Sequence, residues 1–180
     1  MIERKFFVEQ GVGKSELADY LLAIKHDARA TTISYLKDIQ EEELDWQPFE
    51  GWNSVAALLE HIIAGDRDFN ITFIEGRELT ELEKGQILPG AELGKYADGF
   101  KGRPVAYYIA LLQETYEETR NAIIAMEPDA FLKRRYEDYD NINGSDLAWI
   151  LFHGAEDEVH HRGQISIIRK LYKEMKGKQQ

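Results

Sequence analysis

An all-α protein, built as a four-helix bundle, is predicted for this 180-residue chain by three observations. Four long segments repeat apolar residues with the roughly 3.6-residue period of helices that pack on a core. None of them shows the sustained alternation of a strand. One connection is far longer than the others, as expected of a segment that travels the length of a bundle.

The first helix is placed from about Ser15, a good N-cap, to Ile39, with Leu17, Leu21, Ile24, Ala28, Thr31 and Tyr35 on one face. The second begins at Asn53 or Ser54 and carries Val55, Leu58, Ile62, Phe69 and Phe73 to about Glu75. The third starts at Pro104, a residue favoured at a first helical position, and ends before Pro128. Its stripe is Val105, Ile109, Leu112, Tyr116, Ile123 and Met126. The fourth runs from near Ser145 to about Lys176 on Leu147, Ile150, Leu151, Ile165, Ile168 and Tyr172. About a dozen residues join the first two helices, which suits an antiparallel turn. The crossover from Gly76 to Arg103 contains six glycines and makes helices two and three parallel, so the expected topology is up-down-down-up. An irregular flap is expected between the last two helices.

The length suits one domain, residues 1–180, with its core from about residue 15 to 176. There is no cysteine, which removes disulfides, thiolate metal ligands and a catalytic thiol of the chain's own. A net charge of −11 disfavours nucleic acid and anionic membrane as partners. The opening MIERKFFVEQ lacks the apolar run of a signal peptide, no stretch is long enough to span a bilayer, and a cytoplasmic location is expected.

The chemistry is concentrated on the fourth helix. At about 100° per residue, His161 falls inside the apolar sector, Asp157 at its edge, and His153 and His160 further out. Glu158 lies in the apolar sector as well. Burying an Asp and a His without partners is costly. Residues four apart share a helix face, so Asp157 and His161 can reach one ion, and the second helix offers His61, roughly 60° beyond the edge of its stripe. Two imidazoles and a carboxylate make a three-ligand site with open positions. Hydrogen-bonded core residues are the alternative reading of the same pattern. His26 lies nearly opposite its helix's core stripe; with Leu22 and Ile33 it is read as a surface row or a homodimer contact.

The segment HGAEDEVHHRGQI, residues 153–165, closely resembles the last-helix signature of the DinB-like family, and GWNSVAALLEHI, residues 51–62, looks like its other landmark. The resemblance extends from about residue 16 to 172 and includes the long crossover. It implies a divalent metal, zinc, nickel, manganese or iron, between helices two and four, with His61, Asp157 and His161 as ligands. Position 157 departs from the commoner histidine of the family, which leaves His153 and His160 as substitutes if Asp157 is too short. The resemblance further implies metal-dependent hydrolysis, or transfer involving a low-molecular-weight thiol such as bacillithiol or mycothiol, on a small-molecule substrate. Glu158 is the candidate for a base or a ligand-orienting group, Arg162 and Gln164 belong to the same motif, and Arg77 and Arg103 bracket a loop that could cover the site and hold an anionic cofactor. A non-catalytic metal-binding or interaction module is the alternative, because fold likeness does not establish a reaction.

Overall fold

The computed structural model describes residues 2–94, 97–133, 135–136 and 144–177. The four expected helices are present as α1 (Glu16–Tyr35), α3 (Val55–Phe69), α5 (Val105–Ala125) and α7 (Leu147–Gly177). Shorter helices lie between them: α2 (Glu41–Asp45), α4 (Glu81–Ala91) and α6 (Ala130–Lys133). Seven α-helices thus make up most of the described residues. A two-residue ladder of β1 (Arg135–Tyr136) with β2 (Ser145–Asp146) precedes α7. The centre of the expected flap, residues 134 and 137–143, lies outside the described residues. No helix among the described residues is long and apolar enough to cross a membrane.

Local chemistry explains most boundaries. Ser15 and Ser54 cap α1 and α3 by accepting hydrogen bonds from the amides of Ala18 and Ala57. α1 stops at Tyr35 rather than Ile39, and Asp38 three residues later takes a left-handed backbone (φ 61°) incompatible with continuing it. α3 passes into a π-helical turn, Asn70–Glu75, that closes at the left-handed Gly76. Pro104 sits one position earlier than expected, as the N-cap of α5. α4 falls inside what the sequence predicts as an open crossover. Thr80 and Glu83 form a reciprocal capping box at its start, and Pro89 near its end disguises it as loop.

The long helices pack as α1 against α5 and α7, and α3 against the same pair. Two apolar clusters form between them. One contains Ile33, Leu58, Ile62, Leu112 and Ile165; the other contains Leu21, Phe73, Ile123, Leu147 and Ile150. Between the clusters lies an ionic layer to which every long helix contributes. Lys25 and Arg29 come from α1, Asp66 from α3, Thr115 from α5 and Glu158 from α7, and all are buried. Lys25 Nζ lies 2.5 Å from Asp66 and 3.2 Å from Glu158. Arg29 donates to Asp66, Glu158, Thr115 and the Leu112 carbonyl. The core face of α1 is therefore rotated from the apolar stripe of the sequence: Ile24 and Tyr35 are exposed, and two cations point inward. They can do so because two carboxylates meet them there. Leu22 and Ile33 are buried within the chain, and both ring nitrogens of His26 are taken, by the Tyr116 hydroxyl (2.8 Å) and the Glu3 carbonyl (2.7 Å). That row is therefore used largely within the chain.

Burial alone would raise the Asp66 carboxyl, but the charges and hydrogen bonds of Lys25 and Arg29 outweigh it and hold the group at about 2. Glu158 is lowered against its burial by the same two cations, Arg29 first. Depressed folded-state values mean that the layer's contribution is present above the unfolded carboxylate range and is lost as acid titrates the folded protein. Urea midpoints should therefore hold steady down to about pH 4 and fall steeply towards about pH 2. A midpoint unchanged between about pH 5 and pH 2.5 contradicts the layer's role.

Candidate metal centre

His61 stands two turns into α3, and Asp157 and His161 stand one turn apart on α7. Their ring and carboxylate atoms converge: one donor atom from each lies within 4.8 Å of the other two. Nε2 of His161 is 3.3 Å from Asp157 Oδ1, Nε2 of His61 is 3.6 Å from Asp157 Oδ2, and the two imidazole centroids are 4.6 Å apart. One turn earlier on α7, Gly154 packs against the Phe69 ring of α3: a Cβ there would stand 2.9 Å from that ring and would have to displace it.

Both imidazoles are oriented from behind. Nδ1–H of His161 donates to Gln164 Oε1 (3.1 Å), and Nδ1–H of His61 donates to the Gly90 carbonyl on α4 (3.2 Å). In metal-free protein the protonated rings donate Nε2–H to Asp157; with Nδ1–H fixed from behind, deprotonation occurs at Nε2 and leaves its lone pair facing inward, the tautomer a metal ligand needs. Gly90 can approach only because it lacks a side chain: a Cβ would lie 2.8 Å from Ala64 Cβ and 3.0 Å from the Glu60 carbonyl. The crossover thus supports a ligand from the side, a role the sequence did not suggest. Gly90→Ala should displace the carbonyl and weaken metal binding by about 10- to 100-fold, read by chelator competition. Unchanged affinity would show that the carbonyl does not hold the His61 ring for metal.

Exposure is graded across the centre. The His161 side chain is 6% exposed, that of His61 20% and that of Asp157 39%, so the carboxylate side opens to solvent. Burial opposes ionisation of Asp157, yet hydrogen bonds and charge from His161, and then His61, hold its carboxyl well below the usual carboxylate range. For His161 burial disfavours the cation, and the Asp157 carboxylate, aided by Gln164, overrides this and raises the imidazole above its usual value. The donor set of two imidazoles and an ionised carboxylate fits a divalent cation of the zinc, nickel, manganese or iron type.

The other sequence candidates have different surroundings. His153 stacks on Trp149 with centroids 4.9 Å apart and lies 3.4 Å from Glu156. His160 accepts from the Gln164 amide through Nε2 (3.1 Å), which makes Gln164 a bridge between the two adjacent histidines. Glu158 is 1% exposed and turns into the ionic layer, where Arg29 and Lys25 hold both its oxygens. A carboxylate bound in that way is poorly placed to take a proton at the metal face. Arg162 reaches the Ala28 carbonyl. Arg77 is paired with Glu75 and Glu83, and Arg103 with Glu60, so carboxylates already occupy the two arginines that bracket the crossover. Reasoning from the sequence missed Lys25, Arg29, Asp66 and Gly90. The signal for the first three was Glu158 itself, since an acidic residue in an apolar sector requires cations from a neighbouring helix.

In comparisons with known proteins, the family model of the DinB superfamily matches residues 26–165, a span that includes all three residues of the centre. None of the curated proteins matches the chain.

Proposed function

The chain belongs to the DinB superfamily, and on that premise we propose that it is a divalent-metal-dependent enzyme acting on a small molecule by thiol-dependent transfer or by hydrolysis. The observation that carries this reading is the convergence of His61, Asp157 and His161 with both Nε2 atoms turned inward. A divalent ion held there lowers the pKa of a coordinated thiol or water. The chain's own residues do the rest. His61 and His161 bind through Nε2, Gly90 and Gln164 fix their rings, and the exposed flank of Asp157 leaves the side from which a substrate enters. Because the chain has no cysteine, a reacting thiol has to come from outside, as a compound such as bacillithiol.

The four long helices are proposed to form an up-down-down-up bundle, with α2, α4 and α6 as additions to its connections. The order of the layers supports this. α1 and α7 pass from the Leu21 and Leu147 cluster through the ionic layer to the Ile33 and Ile165 cluster, while α3 and α5 pass the other way.

The capture of Glu158 by two cations favours a second reading, a metal-binding module without catalysis. A panel of electrophiles and esters, assayed with and without bacillithiol on metal-loaded protein, separates the two. The enzyme reading expects turnover that disappears in His61→Ala. Full metal occupancy with no rate above background for any thiol or ester supports the module.

A further inference from the structure

Glycine in the interior of a helix is costly, and it stands either where a side chain has no room or where room is kept for something else. Gly90 and Gly154 are of the first kind, since their Cβ atoms would lie 2.8 Å and 2.9 Å from a neighbour. Gly65 of α3 is not: nothing lies within 4 Å of the place its Cβ would take. Gly85 and Gly163 are equally open, but both are exposed, whereas Gly65 is half-buried. One turn after His61, it faces the groove between α3 and α7 in which the metal centre sits.

The open space is a cavity of about 20 Å³, lined by Ile62, Gly65 and Phe69 from α3 and by Gly154 and Asp157 from α7. It therefore borders the carboxylate that forms the solvent-open side of the centre. Asp66 and Glu158 complete the lining, and Lys25 and Arg29 engage their oxygens. The volume suits one water-sized group. A water there lacks the roughly two to four polar partners that hold an ordered one, because Asp157 turns its oxygens to His61 and His161. A methylene needs no such partners and gains contact with Ile62 and the Phe69 ring.

Resting on the reading of the centre as a site for an external thiol, we infer that this notch receives the carbon next to sulfur in a primary thiol, R–CH2–SH, and that Gly65 is the position that selects it. The thiol binds as its thiolate and gives its proton to solvent, and no other bond changes. A methyl branch on that carbon and a side chain at position 65 need the same space, so each excludes the ligand. Phe69 holds the wall in place, packed on by Gly154 and met edge-on by Phe73 with centroids 5.6 Å apart.

Cobalt(II), a spectroscopic substitute for zinc, provides the test, read by the thiolate-to-cobalt absorption band rather than by turnover. N-Acetyl-L-cysteine and N-acetyl-L-penicillamine are the probes; the second adds two methyl groups to the carbon beside sulfur and is otherwise the same. The first should bind the wild type at least about tenfold more tightly than the second, and Gly65→Ala should weaken its binding at least about tenfold. Cobalt affinity should be unchanged in Gly65→Ala, and its urea midpoint should not fall, because alanine is the better helix former. Phe69→Leu, which widens the notch, should narrow the gap between the two thiols. Cobalt-loaded wild type that binds both thiols equally, or neither, overturns the inference and leaves the metal centre standing, and so does undiminished thiol binding in Gly65→Ala. Loss of cobalt from Gly65→Ala overturns it as well, since the residue then serves the metal and not the thiol. Failure of the wild type to take up cobalt overturns the metal reading itself, and the inference with it.

Discussion

Arg29→Met is expected to remove about 3–5 kcal/mol of folding stability, the largest loss of any single substitution considered for this chain. Arg29 is 0% exposed, and its guanidinium is fully used. Nε donates to Glu158 Oε1 (2.8 Å), Nη2 to Asp66 Oδ2 (2.6 Å) and Glu158 Oε2 (3.0 Å), and Nη1 to Thr115 Oγ1 (3.1 Å) and the Leu112 carbonyl. Five N–H groups meet five acceptors drawn from three helices. Methionine fills much of the volume but leaves two buried carboxylates facing Lys25 alone, an uncompensated charge in a low-dielectric interior. The double change Arg29→Met with Glu158→Leu should cost less than the two single changes added, because it leaves the Lys25–Asp66 pair balanced. Urea unfolding of the four proteins in that cycle checks both statements. A loss below about 1 kcal/mol for Arg29→Met would show that the layer does not hold the helices together.

His161→Ala is expected to take the metal content from about one ion per chain to near zero at matched free metal. The loss of affinity should exceed the roughly 10- to 100-fold that follows removal of a supporting partner, because a donor itself disappears. The same change frees the Asp157 carboxyl, which His161 does most to hold down against burial, so its pKa should rise towards the ordinary range in metal-free protein. His61→Ala should behave similarly towards metal. His153→Ala and His160→Ala should keep their metal, since one ring stacks on Trp149 and the other is bound to Gln164. Elemental analysis after dialysis against a weak chelator distinguishes these outcomes. Full metal in His161→Ala would dismiss the proposed ligand set.

The parts of the molecule that could be read from the sequence are those governed by periodicity. The four long helices follow from their apolar stripes, and the Asp157–His161 pair stands out because it interrupts one of them. The unread parts depend on contacts between distant residues. Lys25 and Arg29 look like solvated positions on α1 until Asp66 and Glu158 arrive from α3 and α7. α4 carries a capping box at Thr80 and Glu83, but Gly85, Pro89 and Gly90 lower the helical signal around it. The use of Gly90 is legible only once Ala64 and the Glu60 carbonyl are seen pressing on its α-carbon. Glu158 shows why a helical wheel is ambiguous: it places a carboxylate inside the bundle without saying whether a metal or a pair of cations waits there.

His61, Asp157 and His161 are proposed to hold one divalent ion. Anomalous diffraction from crystals loaded with zinc or nickel, collected at the metal's absorption edge, tests it most directly. One peak per chain is expected, about 2.0–2.2 Å from Nε2 of His61, Nε2 of His161 and a carboxylate oxygen of Asp157. A peak coordinated by His153 or His160 in place of Asp157, or no peak between α3 and α7, would contradict it.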